Sequence, residues 1–161
     1  MIRHSAAWID PAYRQGRNIP PTLEAVGVVV PAHNQADTVA QCILSIFAAN
    51  SHTGWRNSLW IVVVADACRD RTAKIARAAV GAFGEVLEVA VPSRGTARLI
   101  GAAAVLEHFY QKPRHAVLLA NAEADTCVPR EWIDTQLRLQ KAGVGSIVLP
   151  TRTAAKGAVA H

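Results

Sequence analysis

Apolar and polar positions fall into alternating blocks along the chain. Ala25 to Val30 (AVGVVV) is a continuous apolar run, rich in β-branched residues and closed by Pro31, which is the pattern of a strand buried on both faces. Val39, Ile43, Ile46 and Phe47 then recur at helical spacing, with Asp37 ahead of them as the expected cap. Leu59 to Val64 (LWIVVV) predicts a second strand, and a helix from about Asp70 places Ile75, Ala76, Ala79, Val80 and Phe83 on its inner face. Val86 to Val91 predicts a third, shorter strand. The Ala-rich segment from Gly95 to Tyr110, apolar on several faces, reads as a well-buried helix. Ala116 to Ala120 (AVLLA) is the next strand; Pro129 suits the first turn of a helix carrying Trp132, Ile133 and Leu137; Gly145 to Leu149 is a last short strand.

Strand and helix patterns that alternate in this way predict β-α-β units, hence an α/β fold with a mostly parallel sheet flanked by helices. Residues 1–24 hold three prolines and no clear period, so they are expected to form an irregular arm; 25–150 form the domain; 151–161 read as a polar, unanchored tail. The length of 161 residues suits one domain, and 51% hydrophobic residues against 18% charged ones can bury a core. No apolar run is long enough to span a bilayer, and Asp10 and Pro11 interrupt the start too early for a secretory signal. Cys42, Cys68 and Cys127 are odd in number and widely spaced. That fits reduced thiols in a cytoplasmic protein better than a disulfide framework or a zinc site.

A net charge of +5 invites a nucleic-acid reading, but Lys and Arg are scattered and no basic-aromatic platform forms, so no nucleic-acid partner is expected. A phosphorylated small molecule or an anionic membrane surface accounts for the charge equally well, and peripheral membrane association stays open. In an open parallel sheet, ligands bind beyond the carboxyl ends of the strands. The polar residues there are Pro31, His33 and Asn34 after the first strand, Asp66 and Asp70 after the second, and Glu123 and Asp125 after the fourth. Glu123 and Asp125 lie two apart, so an extended backbone would point both the same way, and two close carboxylates favour a cation between them. Hard oxygen ligands beside a phosphate favour Mg²⁺ or Mn²⁺; an acidic pair that merely solvates its turn is the alternative. Asp66, deeper at its strand end, needs donors such as a base imide or a ribose hydroxyl, unless it bonds its own turn. Asp70 reads as a helix cap. His33 could stack on a base or simply be solvated, and Arg94 and Arg98 flank a helix start that favours anions, with a surface salt bridge as the alternative for Arg98. No GxGxxG or GxxxxGK[ST] loop is present.

Four segments in order resemble the family-2 glycosyltransferases of the GT-A fold: VGVVVPAHNQADTVAQCILSI, IVVVADACRDRTAKIA, GTARLIGAA and LLANAEADTCVPREW. The resemblance implies a Rossmann-like nucleotide-sugar-binding domain, with a UDP-sugar favoured as donor and a glycan, lipid or small molecule as acceptor. It implies that His33 packs on the nucleobase, Asp66 binds the base imide, Arg98 lies near the nucleotide, Glu123 lies nearer the ribose, and Asp125 binds a divalent metal (Mn or Mg) directly. It also implies inverting transfer, in which a carboxylate base deprotonates the acceptor hydroxyl. The sequence departs from the family pattern at Ala65 for the first Asp of D-D, Gln35 for Glu, Leu99 for Asn, and Glu123 for the first Asp of D-x-D.

No carboxylate follows Asp134, so the catalytic base is not found in this chain, which reads as apparently truncated, degenerate or partner-dependent. Beside the enzyme reading stand a nucleotide-binding pseudoenzyme and a nucleotidyltransferase; the glycine-free PAHNQAD loop disfavours the last.

Overall fold

The computed structural model describes residues 23–53, 58–112, 116–141 and 152–153. The elements are β1 (Ala25–Ala32), α1 (Val39–His52), β2 (Ser58–Asp66), α2 (Thr72–Val80), β3 (Gly84–Val89), α3 (Arg94–His108), β4 (Val117–Asn121), β5 (Thr126–Cys127), α4 (Trp132–Lys141) and β6 (Arg152–Thr153). The first four strands form one sheet in the order β3-β2-β1-β4, every neighbouring pair parallel. β1 is fully enclosed, which is why its sequence is an unbroken apolar run and not an alternating one.

Its two faces serve two cores. Val26, Val28, Val30 and Ala32 pack with Ile61 and Val63 against Val39, Ile43 and Ile46 of α1, Ala76 and Val80 of α2, and Trp132 and Ile133 of α4. Ala25 and Val29 pack with Val62 and Val64 against Ala97 and Val105 of α3. The α3 contact is close. A Cβ on Gly27 would lie 2.0 Å from Val105 Cγ1, and one on Gly101 would lie 2.3 Å from Val29 Cγ1, so two glycines let helix and strand approach.

Pro31 does not close β1, which runs on to Ala32. The β1–β4 ladder ends at Val29↔Asn121, and Val29 O accepts its last bond from Ala122 N at 3.0 Å. Pro31, two residues on, faces the same side beyond that ladder, so its missing N–H costs no sheet bond.

Several expectations are corrected. α1 has Thr38, not Asp37, at its start and no side-chain cap; Thr38 N and Val39 N both donate to Gln35 O, so the turn itself satisfies them. α2 stops at Val80 because Gly81 takes a φ of 54°, and Phe83, 60% exposed, sits edge-on to Phe47 instead of on the inner face. β3 lies two residues earlier than its pattern suggested. α3 is not well buried: only the stripe Ala97, Gly101 and Val105 is enclosed, and Leu99 is 73% exposed. Pro129 precedes α4, accepting from Trp132 N at 3.0 Å. The tail is anchored at Arg152–Thr153, which pair antiparallel with Thr126–Cys127. The arm up to residue 22 and the strand expected at Gly145–Leu149 lie outside the described residues. Among the described residues, no helix is long and apolar enough to cross a membrane.

Candidate functional site

The strand order reverses at β1, since the chain leaves it first towards β2 and β3 and returns later on its other side as β4. Such a switch point opens a crevice at the carboxyl ends of the strands. A cleft lies there, lined by Pro31 near the end of β1 and His33 just after it, Asp66 at the end of β2, Arg94 on α3, and Glu123 and Asp125 after β4. Three separate strand ends therefore converge, as the sequence pattern implied.

On the β1–β2 side the loops are bonded to each other. The His33 ring donates from Nδ1 to Asp66 O at 2.7 Å, so Nε2 is left to accept from Asn34 Nδ2 at 3.2 Å. Asn34 Oδ1 in turn accepts from Arg69 N at 2.8 Å, which fixes the amide's orientation. Both ring nitrogens are thus occupied by partners within these loops. Asn34 itself does not line the cleft; it organises the residues that do. Asp66 Oδ1 accepts from Val91 N at 2.9 Å.

Asn34 and Ala67 both hold positive φ, at 51° and 45°. Left-handed backbone is strained for a non-glycine residue and tends to gather at functional sites.

Asp70 is a structural residue here, as its cap-like position suggested. Oδ1 accepts from Thr72 N at 2.9 Å and from the Thr72 hydroxyl, and Oδ2 accepts from Ala36 N at 3.1 Å. Partial desolvation acts to raise the Asp70 carboxyl, but these bonds from Thr72 and Ala36 outweigh it and hold the group below the ordinary carboxylate value.

The β4 side is built differently. Glu123 and Asp125 do not lie on an extended strand: β4 ends at Asn121, and Thr126 N donates back to Glu123 O at 3.0 Å, closing a turn that brings both carboxylates to the cleft. Glu123 forms an ion pair with Arg98, half-exposed on α3, and a looser one with Arg94 at 3.5 Å. The family pattern gave no hint that Arg98 would be engaged by Glu123. The signal was available in the fold, because α3 crosses β1 beside the β4 loop. The Asp125 carboxylate has neither a hydrogen bond nor an ion pair among the described residues. Among those residues, no three His, Cys, Asp or Glu side chains gather into a metal-binding group. Beneath the turn, burial pushes the Cys42 thiol up to about 12, with Cys127, Asp125 and Glu123 adding to the effect. The thiol therefore stays protonated and donates to Glu123 O at 3.3 Å. Cys42, Cys68 and Cys127 are all free.

Comparison with known proteins gives the fold and family context. The chain resembles a crystal structure of S. aureus TarS, residues 1–349, with 15% identity and a TM-score of 0.54. That match covers 78% of this chain and 38% of the other, so the chain spans well under half of the TarS structure. No curated protein matches the chain. The likeness supports the Rossmann-like GT-A arrangement, a parallel sheet flanked by helices. A family model, glycosyl transferase family 2, matches residues 27–161. Because that match spans most of the sequence, the protein belongs to glycosyl transferase family 2.

Proposed function

We propose that the switch-point cleft holds a nucleotide-sugar donor for inverting glycosyl transfer, with a UDP-sugar favoured, and that residues 25–150 form this donor-binding domain. The observation that carries the reading is the convergence of Pro31, His33, Asp66, Glu123 and Asp125 on one cleft in a family-2 chain. In this reading the base lies against the His33 face. The Asp66 carboxylate, with one oxygen held by Val91 N, turns its other oxygen to a base N–H. Arg94, only loosely paired with Glu123, supplies positive charge at the start of α3, where a diphosphate is favoured, and Arg98 lies one turn further on, paired with Glu123.

The donor set suits a divalent cation of the Mg²⁺ or Mn²⁺ kind, since such ions commonly take one or two carboxylates and complete their shell with phosphate oxygens and water. Asp125 would hold it, being unpaired among the described residues, while Glu123 is neutralised by Arg98. When bound, the cation would stabilise the charge of the departing diphosphate.

A thermal-shift scan of nucleoside diphosphates and nucleotide-sugars, with and without Mn²⁺, tests the reading. A uridine nucleotide at a hundredfold excess over its dissociation constant should stabilise the fold by about 2.7 kcal/mol. No shift with any nucleotide in either condition would refute donor binding. Donor binding without transfer to any acceptor would favour a nucleotide-binding pseudoenzyme.

A further inference from the structure

The loop after β1 and the loop after β2 are joined by a chain of bonds that reaches well behind the cleft. Gln35 N donates to Thr72 Oγ1 at 2.8 Å, and the Thr72 hydroxyl passes its own proton towards Asp70 Oδ1. The other Asp70 oxygen accepts from Ala36 N at 3.1 Å. Nearer the cleft, Asn34 N donates to Cys68 Sγ at 3.4 Å, and Arg69 N donates to Asn34 Oδ1 at 2.8 Å. Thr72 is fully buried although polar, and every bond its hydroxyl makes goes to this junction. A buried hydroxyl with donor and acceptor both used is costly to disturb, because truncating it leaves Gln35 N without its partner.

Neither Asp70 nor Thr72 lines the cleft. What they hold is the backbone from Gln35 to Ala36 on one side and the start of α2 on the other. At the strand end of the same ladder of bonds, two or three residues from these anchors on the first loop and four to six on the second, stand His33 and Asp66, which are themselves joined by the ring-to-carbonyl bond. A shift of either loop would move the ring face and the carboxylate relative to each other.

We propose that Asp70 and Thr72 are positioning residues that lock the two loops in register, so that the cleft discriminates uridine from cytidine nucleotides. This rests on the donor-binding reading above. Discrimination by Asp66 depends on its oxygen meeting a base N–H that uridine offers and cytidine does not at the same position. A hydrogen bond to a charged group falls off steeply when its geometry loosens, so the lock acts on selectivity and not merely on stability.

The test measures dissociation constants for UDP and CDP, both with Mn²⁺, by calorimetry on the full chain, beside the thermal midpoint of each variant. Thr72→Val keeps the shape and removes the hydroxyl; Asp70→Asn puts an amide donor where N–H groups point; Thr72→Ser restores the hydroxyl. The first two should weaken UDP by about tenfold and shrink the preference for UDP over CDP. Thr72→Ser should stay close to the unmodified chain. Should either disruptive variant fail to fold, Asp70→Glu keeps the charge while displacing the carboxylate, and it should also lose preference. Folded variants with lower midpoints but an unchanged preference would overturn the proposal and leave donor binding intact. If the unmodified chain binds neither nucleotide, the donor reading falls and the proposal falls with it.

Discussion

The two walls of the cleft are made by different physical means. On the β1–β2 wall, amides, a hydroxyl, an imidazole and the Asp70 carboxylate are joined through hydrogen bonds that mostly engage backbone: His33 to Asp66 O at 2.7 Å, Arg69 N to Asn34 at 2.8 Å, Gln35 N to Thr72 at 2.8 Å and Ala36 N to Asp70 at 3.1 Å. On the β4 wall, position is set by charge, as Arg98 and Arg94 on α3 reach across to Glu123. A hydrogen-bonded wall keeps its geometry whatever the ionic strength. A wall held by partly exposed ion pairs is screened by salt and worth little alone. The difference suits the two halves of a nucleotide: a planar base needs fixed donors and acceptors, whereas a diphosphate with its cation needs charge that can be re-paired.

The comparison can be broken first through α3, because that helix carries both arginines and is seated by glycines. Gly101→Val drives new methyls into a site where even a Cβ would lie 2.3 Å from Val29 Cγ1. It should cost at least about 1–3 kcal/mol by urea unfolding. An unchanged midpoint would show that the helix is not held by this contact. A smaller and more selective effect is expected on the hydrogen-bonded wall. Asp66→Ala should cost about 1–3 kcal/mol in uridine nucleotide affinity and narrow the gap to cytidine nucleotides. Retention of full discrimination would make Asp66 only a brace for Val91 N.

Much of this was legible in the sequence, and particular residues show why. β1 and β2 announce themselves because burial on both faces demands unbroken apolar runs, and the strand-end polar residues mark the cleft because ligands bind at that edge. The register of α3 was harder to read. Its many alanines look buried, but alanine is equally at home on an exposed helix face, and only the 97–101–105 stripe is buried. The shape of the acidic turn is not legible in the sequence, because a spacing of two is the same in an extended segment and in a turn closed by Thr126 N. The Arg98–Glu123 pair joins residues distant in sequence, and it exists only because α3 crosses behind β1.

The central claim is that this cleft binds a nucleoside diphosphate through a cation held at Asp125. Calorimetric titration of UDP into the chain, with Mn²⁺ and then with EDTA, tests it most directly when repeated on Asp125→Asn and Glu123→Gln. The account predicts binding with Mn²⁺, loss of about tenfold or more in EDTA, a similar loss in Asp125→Asn, and a smaller one in Glu123→Gln, whose carboxylate is already engaged by Arg98. Equal UDP affinity with Mn²⁺ and with EDTA, undiminished in Asp125→Asn, would contradict it.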